Sequence, residues 1–148
     1  MRVVSFSSIG FDGELVSVEV DIRRGIPGID VVGLPDGAVR EAKERVRVAL
    51  RNSGYSFPAD RILVNLAPAG VRKEGAAFDL AIAVGILASS GQLECLDSAP
   101  VLVIGELELS GTIRPVRGVL SAVAAGLQHG IRYFIVPSEN LEEAAVLR

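Results

Sequence analysis

Residues 61–90 read RILVNLAPAGVRKEGAAFDLAIAVGILASS, and they decide the fold. The stretch begins with an alternating pattern in which Ile62, Val64 and Leu66 share one face, which predicts a half-buried β-strand. After a turn, we predict a helix from about residue 76 to residue 90. Its middle, residues 80–88, is apolar on every side, which is typical of a helix buried in a core. A strand that leads into a buried helix predicts a domain in which helices pack against a β-sheet.

The rest of the chain supplies further strands and helices on both sides of this stretch. Upstream, we predict strands over residues 2–9, 16–22 and 29–33, the first two antiparallel. We also predict a helix from about residue 38 to residue 52, which Asp36 can cap. Downstream, we predict a buried strand over 101–104, a hairpin turning at Ser110-Gly111, a helix over 118–128, a strand over 133–136 and a last helix, capped by Ser138 or Asn140, that is still running at Arg148. These elements predict an α/β-type domain. We expect one domain over residues 1–148, truncated within its last helix.

The composition excludes several classes of function. The 148 residues carry a net charge of −3, so the molecule as a whole does not attract nucleic acid, although a local basic face can. Cys95 and His129 are the only residues of their kinds, which excludes an internal disulfide, a thiolate zinc cluster and a multi-histidine metal site. No signal-peptide pattern is present, and no apolar run reaches the roughly 20 residues that span a bilayer, so we expect a cytoplasmic protein without a membrane partner.

Two groups of basic residues are candidates for contacts with partners. The first group recurs at helical spacing and shares one side of the predicted helix; it comprises Arg40, Lys43, Arg47 and Arg51. These are nucleic-acid-binding candidates, because Lys and Arg side chains neutralise phosphates; the alternative is a solvated face that also carries Glu41 and Glu44. The second group lies in predicted loops and hairpin ends and supplies interface candidates, namely Arg72, Lys73, Arg114 and Arg117.

Two further features match functional motifs only in part. The loop over residues 70–75 has the spacing of a phosphate loop, but Ala76 and Ala77 follow where Lys and Ser or Thr belong, which favours a plain strand-to-helix turn. Asp79 stands among apolar residues at the start of the buried helix. It can interact with the helix dipole, accept buried hydrogen bonds or act as a catalytic acid. No histidine or second carboxylate lies at an obvious spacing, which favours a structural role.

Several ordered stretches together resemble one family. They are VVGLPD at 31–36, AVRE at 38–41, VNLAPA at 64–69, RKEG at 72–75, FDL at 78–80, GEL at 105–107 and GTIRPVRG at 111–118. This order resembles the N-terminal region of the magnesium-chelatase-like AAA+ ATPases, the YifB/ComM family. The resemblance covers nearly the whole chain. It implies a Lon-protease-like fold of the α+β class, a ribosomal-protein-type βαβ domain with mixed sheets and packed helices, followed after residue 148 by an AAA+ domain that binds ATP and Mg²⁺.

The resemblance to Lon can be examined at its catalytic positions. Lon-type peptidases carry Lys-Asp-Gly-Pro-Ser-Ala-Gly, and the matching residues 73–79 place Ala77 at the nucleophilic serine. A methyl group cannot attack a carbonyl. The partner lysine falls near Leu120, and the adjacent Ser121 has no identifiable base. The resemblance therefore implies that this chain has no catalytic residues.

Three functions follow as hypotheses. The resemblance favours a non-catalytic assembly and interaction domain of a ComM-type AAA+ ATPase, a DNA branch-migration helicase in natural transformation and recombination. Its partners would be its own AAA+ domain, neighbouring subunits of a hexameric homo-oligomeric ring, and single-stranded or branched DNA. The alternatives are a Lon-like serine peptidase domain and a magnesium-chelatase subunit, although one His and one Cys give metal handling little support.

Overall fold

A computed structural model describes residues 2–8, 13–34, 36–68, 75–93 and 99–145 of the chain. Its strands are β1 (Arg2–Ser7), β2 (Glu14–Arg23), β3 (Gly28–Val32), β4 (Arg61–Ala67), β5 (Val101–Val103), β6 (Glu106–Leu107), β7 (Ile113–Arg114) and β8 (Tyr133–Ile135). Its helices are α1 (Asp36–Asn52), α2 (Asp79–Ser89), α3 (Val119–Gln128) and α4 (Leu141–Ala145). Short 3₁₀ helices, Gly75–Phe78 and Ser138–Asn140, precede α2 and α4.

The strands form a mixed six-stranded sheet in the order β3-β4-β2-β1-β5-β8, and β6 and β7 form a separate hairpin. The pairs β1–β2 and β2–β4 are antiparallel, whereas β3–β4, β1–β5 and β5–β8 are parallel. In the antiparallel β2–β4 pair, the register runs from Ser17 opposite Ala67 to Arg23 opposite Arg61. This mixed sheet with packed helices confirms the predicted α+β class, and the antiparallel pairing of the first two strands is also confirmed.

The two faces of the sheet carry separate apolar cores. Because successive side chains of a strand point to opposite faces, Val3 packs with α1 and α2, while Val4 and Phe6 pack with α3. The larger core contains Val46, Ala49 and Leu50 of α1 together with most of α2. The prediction that the helix after β4 is buried is confirmed, since Ala81 and Ile86 are fully enclosed.

Several predicted bounds are wrong by a few residues, for identifiable reasons. Helix α1 begins at Asp36, two residues before the predicted start. The helix predicted from residue 76 begins as a 3₁₀ turn, because the Ala77 carbonyl accepts a hydrogen bond from the Gly105 amide at 3.2 Å and the Leu80 amide donates to the Gly105 carbonyl at 3.1 Å. These bonds to the segment after β5 replace part of the intrahelical ladder. The predicted continuation of the last helix to Arg148 lies outside the described residues.

The side chain of Asn140, one of the two predicted caps of the last helix, connects that helix to the segment before α3. Its side chain accepts a hydrogen bond from the Val116 amide at 3.0 Å and donates one to the Val116 carbonyl at 3.2 Å. We expect Asn140→Ala to lower the free energy of unfolding by about 1–3 kcal/mol, because it leaves part-buried backbone groups without partners. Urea denaturation followed by circular dichroism measures this. The exposed neighbour Glu139→Ala should change it by less than about 0.5 kcal/mol, and equal effects of the two substitutions would contradict the role of Asn140.

Candidate functional site

Helix α1 presents a basic side to a groove of about 530 Å³, here called the α1 groove. The side chains that α1 contributes are Arg40, Lys43, Glu44, Arg47 and Arg51. Residues 27–29, at the start of β3, and residues 57–59, after α1, form the opposing walls. The structure thus places the four predicted nucleic-acid-binding candidates together in one concave site. Their spacing of three, four and four residues distributes them over about 16 Å of helix.

The α1 groove is positively charged although the protein carries a net charge of −3. Arg47 contacts Glu44 on the same helix, and among the described groove residues Glu44 supplies the only carboxylate. Across the parts of the chain that the structure describes, no ion pair involves Arg40, Lys43 or Arg51. The lining of the groove therefore contains four cations and one carboxylate among the described residues, and the positive charge is local rather than a property of the whole molecule.

A backbone hydrogen bond and a side-chain ion pair hold the two opposing walls together. The Gly28 amide donates a hydrogen bond to the Asp60 carbonyl at 3.4 Å, and Arg61 forms an ion pair with Asp30. A Cβ atom at Gly28 would come within 2.7 Å of the Arg61 guanidinium, so the absence of a side chain there permits this approach. Ile29 is buried beneath the groove. The wall is therefore part of the folded sheet rather than an independent loop.

A fifth basic residue of α1 faces the interior and connects the helix to α2. Arg45 donates hydrogen bonds to the Asp79 carboxylate through Nε at 2.6 Å and Nη2 at 3.1 Å. The Leu107 amide donates a third, longer bond at 3.3 Å to the same carboxylate. Asp79 is completely buried. It acts as a buried hydrogen-bond acceptor at the first residue of α2, as the sequence favoured, and this bidentate pair fixes α1 relative to α2.

The electrostatics of this pair follow from its burial. Burial of the Asp79 carboxyl raises its pKa, and the hydrogen bonds and charge of Arg45 oppose that rise. The hydrogen bonds with Asp79 raise the pKa of Arg45 above its ordinary value, so the guanidinium stays protonated. Glu41 lies 3.7 Å from the same guanidinium but is largely exposed. The sequence predicted only this surface pair, at a spacing of four residues, because nothing local indicates that Asp79 approaches Arg45.

The interface candidates are not gathered into one site by the described residues. Arg114 lies on β7 and forms ion pairs with Glu106 at 3.9 Å and Glu108 at 3.6 Å, both within its own hairpin. Arg117 is exposed in the segment before α3. Arg72 and Lys73 lie outside the described residues, as does Cys95. An interface role for the four arginine and lysine residues stays a prediction.

The two Lon-type catalytic positions lie in different elements. Ala77 is half-buried in the 3₁₀ turn before α2. Leu120 is 39% exposed on α3, where its amide donates a hydrogen bond to Glu143 Oε2 at 3.0 Å. Neither side chain carries a heteroatom.

Among the described residues, no three His, Cys, Asp or Glu side chains form a group that could hold a metal ion. No helix in the described part of the chain is long and apolar enough to cross a membrane.

Comparison with known proteins identifies the family of this chain. The family model described as subunit ChlI of Mg-chelatase matches residues 18–140. The chain belongs to this family. It is 45% identical over 145 residues to competence protein ComM of Haemophilus influenzae, and 41% identical over 141 residues to the uncharacterized protein YifB of Escherichia coli. These alignments cover 98% and 95% of this chain but only 28% of each relative.

A more distant similarity agrees with the fold. The chain is 26% identical over 152 aligned residues to Lon protease 2 of Bacillus subtilis, across 92% of this chain and 27% of that protein. The predicted Lon-like fold class and the predicted family are therefore both confirmed.

Proposed function

We propose that this ChlI-family domain is a non-catalytic, DNA-contacting assembly module of a ComM-type AAA+ ATPase that drives branch migration in the cytoplasm. The α1 groove carries this proposal, because it gathers four cations on one surface of an otherwise acidic chain. The similarity to competence protein ComM supports the family-level part. ATP and Mg²⁺ belong, in this proposal, to the parts of the relatives that the present chain does not span.

The non-catalytic part of the proposal rests on side-chain chemistry. The resemblance places Ala77 at the Lon nucleophile and puts the Lon base near Leu120. Ala77 has no oxygen to attack a carbonyl, and Leu120 has no nitrogen to accept the proton of a nucleophile. Asp79, the buried carboxylate nearest to Ala77 in sequence, is engaged by Arg45 and Leu107. The domain would then act through its surface, by positioning DNA and neighbouring subunits of the ring.

Fluorescence anisotropy with a branched DNA, recorded across a salt series, tests the DNA contact. Four phosphate contacts predict that the logarithm of the association constant falls with a slope of about −3 to −4 against the logarithm of salt concentration. Affinity should then decrease about 100-fold between 50 and 200 mM salt. Binding that does not depend on salt would contradict phosphate contact by the groove.

Charge reversal at exposed groove residues provides a matched comparison. The double variant Arg40→Glu/Arg51→Glu should bind branched DNA at least tenfold more weakly than the unmodified chain, because each reversal removes one phosphate contact and adds a repulsion. The control Arg2→Glu/Arg132→Glu changes the net charge equally at two exposed residues outside the groove. Equal losses in both variants would show that binding depends on net charge alone and would contradict the groove.

A further inference from the structure

Phe57 contributes an aromatic side chain to the lining of the α1 groove. This residue follows α1, lines the groove beside Pro58, and is half-buried because part of it packs against the larger core. It therefore occupies a fixed position while the rest of its surface borders the cations of α1. Aromatic rings beside a row of basic side chains are what a nucleobase and its phosphates require together.

We propose that the α1 groove binds a single DNA strand rather than a duplex, with phosphates on α1 and a base stacked on Phe57. This inference rests on the proposed function and specifies the form of DNA that the groove recognises. In a duplex, each base is already stacked on its neighbours and faces its partner, so the ring of Phe57 would have no base to contact. A single strand exposes bases and can turn them toward the wall.

The different exposure of the four basic side chains also favours a single strand over a duplex. Lys43 and Arg47 are half-buried between α1 and the opposing walls, whereas Arg40 and Arg51 are exposed near the two ends of the row. A duplex is a wide convex cylinder, so it reaches the exposed cations more readily than the recessed ones. A single strand is thin enough to follow all four along about 16 Å of helix.

An acidic peptide is the competing occupant, since carboxylates can also pair with Lys and Arg. A glutamate or aspartate side chain has no flat aromatic face, so it gains nothing from the ring of Phe57. The combination of cations with an aromatic wall therefore favours a nucleic acid strand. The two occupants differ in whether Phe57 contributes to binding.

Anisotropy with three oligonucleotides of equal phosphate number tests the inference on the unmodified protein. The probes are a deoxythymidine strand, a blunt duplex, and an abasic strand that keeps the sugar-phosphate backbone without bases. We expect the deoxythymidine strand to bind at least tenfold more tightly than the duplex. The abasic strand should bind about 5- to 150-fold more weakly than the deoxythymidine strand, because stacking of one base is lost.

Substitution of the aromatic residue supplies the second test. We expect Phe57→Leu to weaken binding of the deoxythymidine strand about 5- to 150-fold while the salt slope stays the same, whereas Lys43→Gln should reduce the slope by about 0.7. Phe57→Tyr should retain binding within about threefold, since the ring is kept. The matched control is Tyr55→Leu, an aromatic residue two positions earlier that is 40% exposed and lies outside the groove. If Phe57→Leu does not fold, the comparison of the deoxythymidine and abasic strands on the unmodified chain decides the question.

The outcomes separate this inference from the proposed function. Equal affinity for the deoxythymidine and abasic strands, or equal affinity for strand and duplex, would overturn the single-strand inference while DNA contact by α1 stands. A poly-glutamate peptide that binds as tightly as the strand would also overturn it, in favour of an acidic protein partner. Absence of binding to every DNA at low salt would overturn both.

Discussion

Replacing Arg45 by methionine should lower the free energy of unfolding by about 3–5 kcal/mol, because it leaves the Asp79 carboxylate buried without its cation. Arg45 supplies two of the three hydrogen bonds to Asp79, and Asp79 is completely enclosed. Methionine keeps much of the apolar stem, so the loss reports the ion pair rather than the packing. Urea denaturation followed by circular dichroism measures the change.

The stability of Arg45→Met should also depend on pH more strongly than the stability of the unmodified chain. Without the guanidinium, burial raises the pKa of Asp79 further, so the folded state binds more protons than the unfolded state above the ordinary carboxyl pKa of about 3.9. Its stability should therefore fall as pH rises from about 4. The control Glu41→Ala removes only the exposed partner at 3.7 Å and should cost less than about 1 kcal/mol. Equal losses for Arg45→Met and Glu41→Ala would contradict the role given to the buried pair.

The second large effect is expected at Gly33, where the chain turns from β3 toward α1. Its φ angle is +102°, and a Cβ atom there would lie 2.2 Å from the Leu66 carbonyl oxygen. Gly33→Ala should therefore cost about 3 kcal/mol, because the backbone is strained for any other residue and the obstructing atom belongs to a central strand. The measurement is again the urea midpoint, together with DNA affinity, since the turn leads into the helix that carries the groove.

Gly37 provides the matched control for this prediction. It lies in the first turn of α1, and a Cβ atom there would meet nothing within 4 Å. Gly37→Ala should stabilise the protein by about 0.5–1 kcal/mol, because alanine restricts the unfolded chain and favours the helix. Destabilisation of similar size at both glycines would show that the geometry at Gly33 is not the cause.

Periodicity predicted most of the fold because it reports burial directly. The alternation in β4 and the all-apolar surface of α2 identify elements whose pattern is set by the core on either side. The ends of elements were less predictable. The start of α2 depends on bonds to Gly105, and the role of Asn140 depends on Val116, both of which approach from distant parts of the chain.

The candidate site was predictable only on its helical side. Helical spacing alone places Arg40, Lys43, Arg47 and Arg51 on one surface. The opposing walls come from residues 27–29 and 57–59, which become neighbours only when β3 pairs with β4. The inward turn of Arg45 was missed for the same reason, since its partner Asp79 lies 34 residues away.

The central claim, that DNA occupies the α1 groove, is tested most directly by NMR titration of the 148-residue chain with a short single-stranded deoxythymidine oligomer at low salt. The account predicts that the largest amide shifts fall at residues 28, 29, 40–51, 57 and 59, and that the strand shifts the ring resonances of Phe57 upfield. Largest shifts on the β6–β7 hairpin or around β8, with residues 40–51 unchanged, would contradict it.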